Sequence, residues 1–234
     1  MRVGAFSPMS LSDDPGRVSA LVFVVGCNFR CPFCHNRELV LPELAPQDTG
    51  LATDAVLTKL RERTGFLDGV VVSGGEPSLQ PDLGSFLGAV REAGLRVKLD
   101  TNGSRPEVLA TLLRRGLIDY VAMDIKAPQP RYAEYSGVEV DLEAIEASIR
   151  TIREDAADYE FRTTVAPGLG EDDIIAIAEW IRGARRYILQ PFRVPREKHL
   201  VDPSWESRAA LSAVELRKAW AAIGSRVAGG GVRA

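Results

Sequence analysis

Ser19-Ala20-Leu21-Val22-Phe23-Val24-Val25 is an unbroken apolar run closed by Gly26, and it delivers the chain into a loop with three cysteines, Cys27-Asn28-Phe29-Arg30-Cys31-Pro32-Phe33-Cys34. The run is too short for an ordinary helix and rich in β-branched residues. It therefore predicts a strand buried on both faces, as in a parallel sheet. Similar runs recur at residues 69–72, 95–99, 120–125, 159–165 and 186–189. Each leads to unusual residues at its carboxyl end: Gly74-Gly75-Glu76-Pro77, Asp100-Thr101-Asn102-Gly103, Asp124 with Lys126, Arg162 before Ala166-Pro167-Gly168, and Gln190-Pro191-Phe192. Between the runs, apolar residues fall at helical spacing behind cap-like residues such as Asp141 and Ser104. Alternating β and α elements in this number leave two α/β architectures, an incomplete (β/α) barrel and an open doubly wound sheet. Both gather ligands at the carboxyl ends of their strands, so six loops are expected to converge on one mouth.

Composition removes several functional classes. The formal charge is −3, from 29 Lys and Arg against 32 Asp and Glu, which argues against a nucleic acid or an anionic membrane held by bulk positive charge. The longest uncharged stretch, residues 18–29, is well short of the ~20 residues of a spanning helix. No basic-then-apolar leader opens the sequence, and a cytoplasmic protein is expected. All three cysteines lie in one eight-residue window, where a disulfide could close only a trivially small loop. Three thiols spaced C-x3-C-x2-C suit a shared metal centre, and cubane iron–sulfur clusters take closely spaced cysteines. Three ligands for four irons leave one iron open to a substrate chelate. A structural zinc on the same cysteines with His35 is the rival, though zinc sites usually join two separated knuckles. A catalytic thiol is weaker, because only His35 and His199 exist to activate it.

The other strand ends carry readings of both kinds. Gly74-Gly75-Glu76-Pro77 is either an ordinary tight turn or a backbone cradle that a ligand can approach closely. Asp100-Thr101-Asn102-Gly103 is either an Asx turn into a helix or a polar contact surface. Asp124 and Lys126 lie two apart and point the same way, which implies either an internal ion pair or a zwitterionic ligand.

Residues 27–36, read with Gly74 to Pro77, resemble the radical S-adenosylmethionine superfamily. The longer string Gly26-Cys27-Asn28-Phe29-Arg30-Cys31-Pro32-Phe33-Cys34-His35-Asn36 is similar to the activating enzymes of glycyl radical proteins. The lead-in Ser10-Leu11-Ser12-Asp13-Asp14-Pro15-Gly16 resembles those that activate the anaerobic (class III) ribonucleoside-triphosphate reductase. The resemblance spans residues 4–195 and implies a single-domain partial (β/α)6 TIM-type barrel. It also implies a [4Fe–4S] cluster on Cys27, Cys31 and Cys34, with S-adenosylmethionine on the fourth iron. By motif position, the Gly74-Gly75-Glu76 backbone would receive the methionyl amine and Lys126 would lie near the methionyl carboxylate. Asp100, Thr101 and Asp124 would ligate a monovalent cation, Phe33 and His35 would flank the adenine, and Arg162 would contact the cofactor. Asp13, Pro15 and Gly16 would lie near the substrate peptide. Arg193 stands where pyruvate formate-lyase activases have His. The implied activity is one-electron cleavage of S-adenosylmethionine to a 5′-deoxyadenosyl radical, which takes hydrogen from a glycine of the partner. A flavodoxin-like or ferredoxin-like protein would supply the electron.

Other assignments stay in view: an activase of pyruvate formate-lyase, a 7-carboxy-7-deazaguanine synthase-like enzyme, and a non-catalytic zinc-stabilised binding module. With three cysteines in all, the chain has no inserted ferredoxin-like segment. The expected layout is a lead-in at 1–17, the barrel at 18–200, a helix at 201–223 and a flexible tail at 224–234, rich in Gly.

Overall fold

The computed structural model describes residues 1–45, 51–195 and 199–233. Eight strands form one sheet: β1 (Val3–Ser10), β2 (Ser19–Val24), β3 (Gly69–Gly74), β4 (Arg96–Thr101), β5 (Tyr120–Asp124), β6 (Tyr159–Val165), β7 (Tyr187–Pro191) and β8 (Gly230–Val232). They pair in chain order from β1 to β8, and every pairing from β2 onward is parallel. A sheet wound in one direction without a reversal of strand order is barrel-like, not doubly wound. Among the described residues β1 and β8 are its two unjoined ends. The expected α/β partial barrel is thus present, with β2 to β7 as its six strands.

Alternation along each strand divides the sheet's two faces. One set of side chains, including Val22, Val24, Val70, Val72, Val97, Leu99, Val121, Met123, Phe161 and Leu189, joins the main apolar core. Helices cover that outer face: α1 (Arg37–Val40), α2 (Thr53–Arg61), α3 (Leu83–Glu92), α4 (Pro106–Arg114), α5 (Tyr132–Ser136), α6 (Leu142–Asp155), α7 (Glu171–Trp180) and α8 (Ala213–Ile223). Each long helix turns an apolar stripe inward, such as Ile145, Ile149 and Ile152 on α6. Asp141 caps α6 as its sequence suggests, accepting from the N–H groups of Glu143 and Ala144. Ser104 does not cap α4; its hydroxyl accepts from Asn28 Nδ2 in the cysteine loop. The intervening set of strand residues faces the barrel interior and is heavily charged: Lys98 and Asp100 on β4, Tyr120 and Asp124 on β5, Glu160 and Arg162 on β6. Uniformly apolar strands were therefore an oversimplification: the outer face is the core and the inner face is polar.

Two edge strands lie outside the expected layout. β1 runs antiparallel to β2, with Val3 opposite Val24 and Ser10 opposite Ser19, and its Pro8 is tolerated because the strand is an edge. The tail is not flexible as expected. β8 pairs with β7 in the register Tyr187–Gly230 and Leu189–Val232. A Cβ on Gly230 would stand 1.9 Å from the Tyr187 carbonyl oxygen, so glycine here serves close approach and not disorder. Ala234 lies outside the described residues. The segment before the tail is also less helical than expected: only residues Ala213–Ile223 form the α-helix, behind a single turn at Pro203–Trp205.

Arg233 fastens the tail, donating from Nη2 to both oxygens of Glu160 at 3.1 and 2.8 Å. Glu160 is 1% exposed and, among the described residues, otherwise accepts only from the Tyr120 hydroxyl. Truncation after Gly229 strands that carboxylate and is expected to cost about 3 kcal/mol in urea unfolding. Adding Glu160→Gln to the truncated chain should recover part of the loss; no recovery would show that Arg233 contributes nothing through Glu160.

Candidate active site

The cysteine loop leaves β2 and is held from outside by two segments, the end of α5 and residues 201–202. Arg30 N–H donates to Ser136 O at 2.7 Å, Asp202 N–H to Pro32 O at 3.0 Å and Val201 N–H to Cys34 O at 3.2 Å. The loop lies so close to Gly137 that a Cβ there would be 2.1 Å from Arg30 O. Held this way, Cys27, Cys31 and Cys34 line one wall of a cavity of about 150 Å³. Its other walls are Gly74, Gly75 and Glu76 after β3, Asp100, Thr101 and Asn102 from β4, and Asp124 with Lys126 from β5. Four of the six expected strand-end loops thus meet here, and the Gln190-Pro191-Phe192 turn at the end of β7 is not part of this wall.

The donor set fits a multi-iron cluster better than one zinc ion. Among the described residues no three His, Cys, Asp or Glu side chains converge on a single ion position. Thiols spread over a cavity wall can each bind a different iron, whereas zinc requires all ligands on one tetrahedron. Burial pushes the Cys31 thiol up to about 12 and, with Glu76 adding repulsion, the Cys27 thiol up to about 11. Burial also raises Cys34. Their thiolates need the positive charge of a metal, and as free thiols they are poor nucleophiles at neutral pH. His35 is exposed and absent from the cavity wall, so it is neither placed as a zinc ligand nor turned toward an adenine in this pocket. Phe33 is also displaced from its expected role. It is 6% exposed, with its ring centroid 6.2 Å from Tyr135 and 6.1 Å from Trp205, and so anchors the loop to the body of the protein.

Gly74 and Gly75 are where two backbones nearly touch. A Cβ on Gly75 would lie 2.0 Å from Gly26 O, and Gly74 has φ of 109° with no room beside Val24. Gly74 O accepts from Asn36 Nδ2 at 3.1 Å and Glu76 O from Leu79 N–H, while Gly75 O has no donor among the described residues. Glu76 turns its carboxylate inward. It accepts from Ser78 N–H and Oγ, Thr101 Oγ1 at 2.8 Å and Asn102 N–H at 2.7 Å, and so staples the β3 loop to the β4 loop.

Arg162 reaches across the interior from β6. It donates to Asp124 Oδ1 at 3.0 Å and to Asp100 Oδ2 at 3.3 Å. Lys98, 1% exposed, pairs with the other oxygen of Asp100, and Lys126 with the other oxygen of Asp124 at 3.2 Å. Burial alone would raise both carboxyl groups. Arg162 with Lys126 outweighs it for Asp124, holding it at about 2, and Arg162 with Lys98 depresses Asp100. Asp100, Thr101 and Asp124 are therefore engaged by side chains, with the Thr101 hydroxyl committed to Glu76. They do not form a vacant monovalent-cation site.

Asp13, Pro15 and Gly16 lie elsewhere. They precede β2, while the cysteines follow it, which puts them a strand length of about 20 Å away at the opposite end of the barrel. An N-terminal segment that descends along β1 before β2 ascends is carried away from the cavity, so these residues do not face a peptide bound there. Arg193 is exposed beyond β7. Asn36, Ser73, Asn102 and Lys98 are site residues that sequence reading left out. Asn36 and Asn102 stood inside the motifs without a role of their own, and Lys98 had a signal as a lone cation between Val97 and Leu99.

The Arg162 network has an acid signature. Because the Asp124 carboxyl is depressed, its contribution is complete above about pH 4 and is lost as pH falls toward about 2, an effect of about 2 kcal/mol. Unfolding free energy followed through this window should fall more steeply for the native chain than for Asp124→Asn. Parallel profiles would show that Arg162 and Lys126 do not hold the group down.

The Radical SAM superfamily pattern matches residues 21–181. A Methanocaldococcus jannaschii protein named as a glycyl-radical enzyme activating enzyme is 35% identical over 196 residues, covering 81% of this chain and 79% of that protein. The pyruvate formate-lyase-activating enzyme of Listeria monocytogenes is 35% identical over 141 residues, 55% of this chain and 54% of the relative, so the match spans about half of that enzyme. In fold, Streptococcus suis SuiB bound to its precursor peptide SuiA superposes with a TM-score of 0.68 at 13% identity, over 92% of this chain and 48% of SuiB. The chain belongs to the Radical SAM superfamily, in the branch that carries the glycyl-radical enzyme activating enzymes.

Proposed function

We infer that the chain activates a glycyl radical enzyme, and that its target is an anaerobic ribonucleoside-triphosphate reductase. One observation carries the chemistry: three thiols (Cys31 buried, Cys27 and Cys34 half-buried), a backbone carbonyl without a donor among the described residues and a half-buried ammonium group share the wall of one small cavity. A [4Fe–4S] cluster on Cys27, Cys31 and Cys34 would supply, with S-adenosylmethionine on its remaining iron, the one-electron cleavage that yields a 5′-deoxyadenosyl radical for hydrogen abstraction from a partner glycine. The Gly75 carbonyl is the acceptor left for the methionyl amine. Lys126 offers its ammonium to the methionyl carboxylate, its charge sustained by Asp124 although burial opposes it. Arg162 supplies the positive charge that a monovalent cation would otherwise bring beside Asp100 and Asp124. Asn102 aims Nδ2 at Cys27 Sγ from 3.9 Å and also donates to Asn28 Oδ1, holding the loop against β4. Burial excludes water from the reacting groups and gains proximity, so no acid–base residue is needed.

The lead-in at residues 10–16 and the Cys34-His35-Asn36 string favour the reductase as target, while the Listeria relative supports pyruvate formate-lyase as a second reading. A flavodoxin-like or ferredoxin-like donor remains the proposed electron source. Anaerobically loaded protein, S-adenosylmethionine and a reductant should give a glycyl doublet by electron spin resonance when mixed with the anaerobic reductase. A doublet only with pyruvate formate-lyase would reassign the target, and none with either would end the activase reading.

Replacing Cys27, Cys31 or Cys34 singly by Ala should reduce 5′-deoxyadenosine formation to background while leaving the fold intact by circular dichroism. Product from any one variant would remove that cysteine from the centre.

A further inference from the structure

At the end of the barrel away from the cysteines lies a second cavity, of about 560 Å³, built from residues that begin the strands. Arg17 comes just before β2, Arg96 opens β4, Arg186 precedes β7 and Arg233 follows β8, and all four line it. Two of these arginines are spoken for. Arg233 grips Glu160, and Arg186 pairs with Asp158 and stacks 5.4 Å over the Tyr120 ring. The guanidinium groups of Arg17 and Arg96 make no hydrogen bond or ion pair among the described residues. Asp14, the remaining carboxylate in the wall, is 3% exposed and accepts from Ser19 Oγ at 3.0 Å. The Nε–H groups of Arg96 and Arg186 are both buried without an acceptor. Those two atoms are closed to solvent, but the unpaired guanidinium groups of Arg17 and Arg96 both line the cavity, and cationic donors without a partner there call for a ligand rich in acceptor oxygens.

We propose that this cavity binds the phosphate group of a small molecule, through the guanidinium groups of Arg17 and Arg96. Guanidinium groups match phosphate oxygens in fork geometry, and two forks carried by separate segments can each take a different pair of oxygens of one tetrahedral group. The volume is that of a small-molecule site, with room beyond one phosphate. Tyr120 and Ile188 offer an apolar surface to whatever the phosphate carries. The site lies a strand length from the thiols, so it is distinct from the cavity that the radical chemistry would use and does not depend on that chemistry.

Isothermal titration of the folded protein with inorganic pyrophosphate, ATP and adenosine tests this and separates free from nucleoside-borne phosphate. Saturable binding of pyrophosphate or ATP, at one per chain, is expected, with adenosine silent. Arg17→Gln and Arg96→Gln should each weaken binding at least tenfold, Arg96→Lys should be intermediate, and Arg105→Gln, beyond the carboxyl end of β4 at the opposite mouth, should match the native chain. Binding of ATP alone would identify a nucleotide as the source. Absence of binding by both phosphates, adenosine binding as well as ATP, or affinity unchanged in Arg17→Gln and Arg96→Gln would overturn the proposal. Arg17 lies in a loop before β2, so its variant remains informative if changes at Arg96 disturb β4.

Discussion

Arg162 holds two carboxylates at once, Asp124 at 3.0 Å and Asp100 at 3.3 Å, inside a barrel whose outer face has taken up the apolar residues. Desolvation opposes the charged form of each acid, and the guanidinium offsets it for both. With the guanidinium between them, the carboxyl ends of β4, β5 and β6 are tied together. Lys98 and Lys126 complete an alternating chain of charges with one cation in excess. Lys126 ends that chain facing the three sulfurs, where anionic ligands would otherwise accumulate negative charge in a buried place.

The barrel is therefore two-sided in both senses. Its outer face supplies stability through Val, Leu and Ile packed under the helices. Its inner face carries a polar column that runs from Glu160 and Arg233 at one end, through Lys98 and Arg162, to Asp124 and Lys126 at the other. Glu76 does for the loops what Arg162 does for the strands. Four hydrogen bonds to one buried carboxylate fix the β3 and β4 loops together, and the glycines before it let the backbone pass within contact distance of Gly26. Small changes in this shell should be felt at the thiols although none of these groups touches them directly.

The six strands β2 to β7 were legible because each is a short apolar run with a definite stop, and because unusual residues gathered behind every stop. The edge strands were not. β1 contains Gly4, Pro8 and two serines without alternation, and the glycines of β8 look like flexibility when they serve close approach to Tyr187. The cysteine loop and the Gly-Gly-Glu turn could be read as parts of one site, since each stands at a strand end. Side-chain direction within the loop could not. Phe33 and His35 adjoin Cys34 in sequence, yet one packs on Trp205 and the other faces solvent. Asp13 to Gly16 were misplaced because nothing in the lead-in shows that it runs down the sheet before the first parallel strand runs up. Phe33's true partners, Tyr135 and Trp205, are long-range contacts that no local pattern encodes.

The account stands or falls on whether the three sulfurs carry one cluster with an iron free for a ligand. Mössbauer spectroscopy of protein loaded anaerobically with iron-57, with and without S-adenosylmethionine, addresses this most directly. About four irons per chain are expected in a single cluster, with one iron changing its isomer shift when the sulfonium compound is added. A chain that takes up zinc in place of iron, or a cluster whose spectrum ignores S-adenosylmethionine, would contradict it.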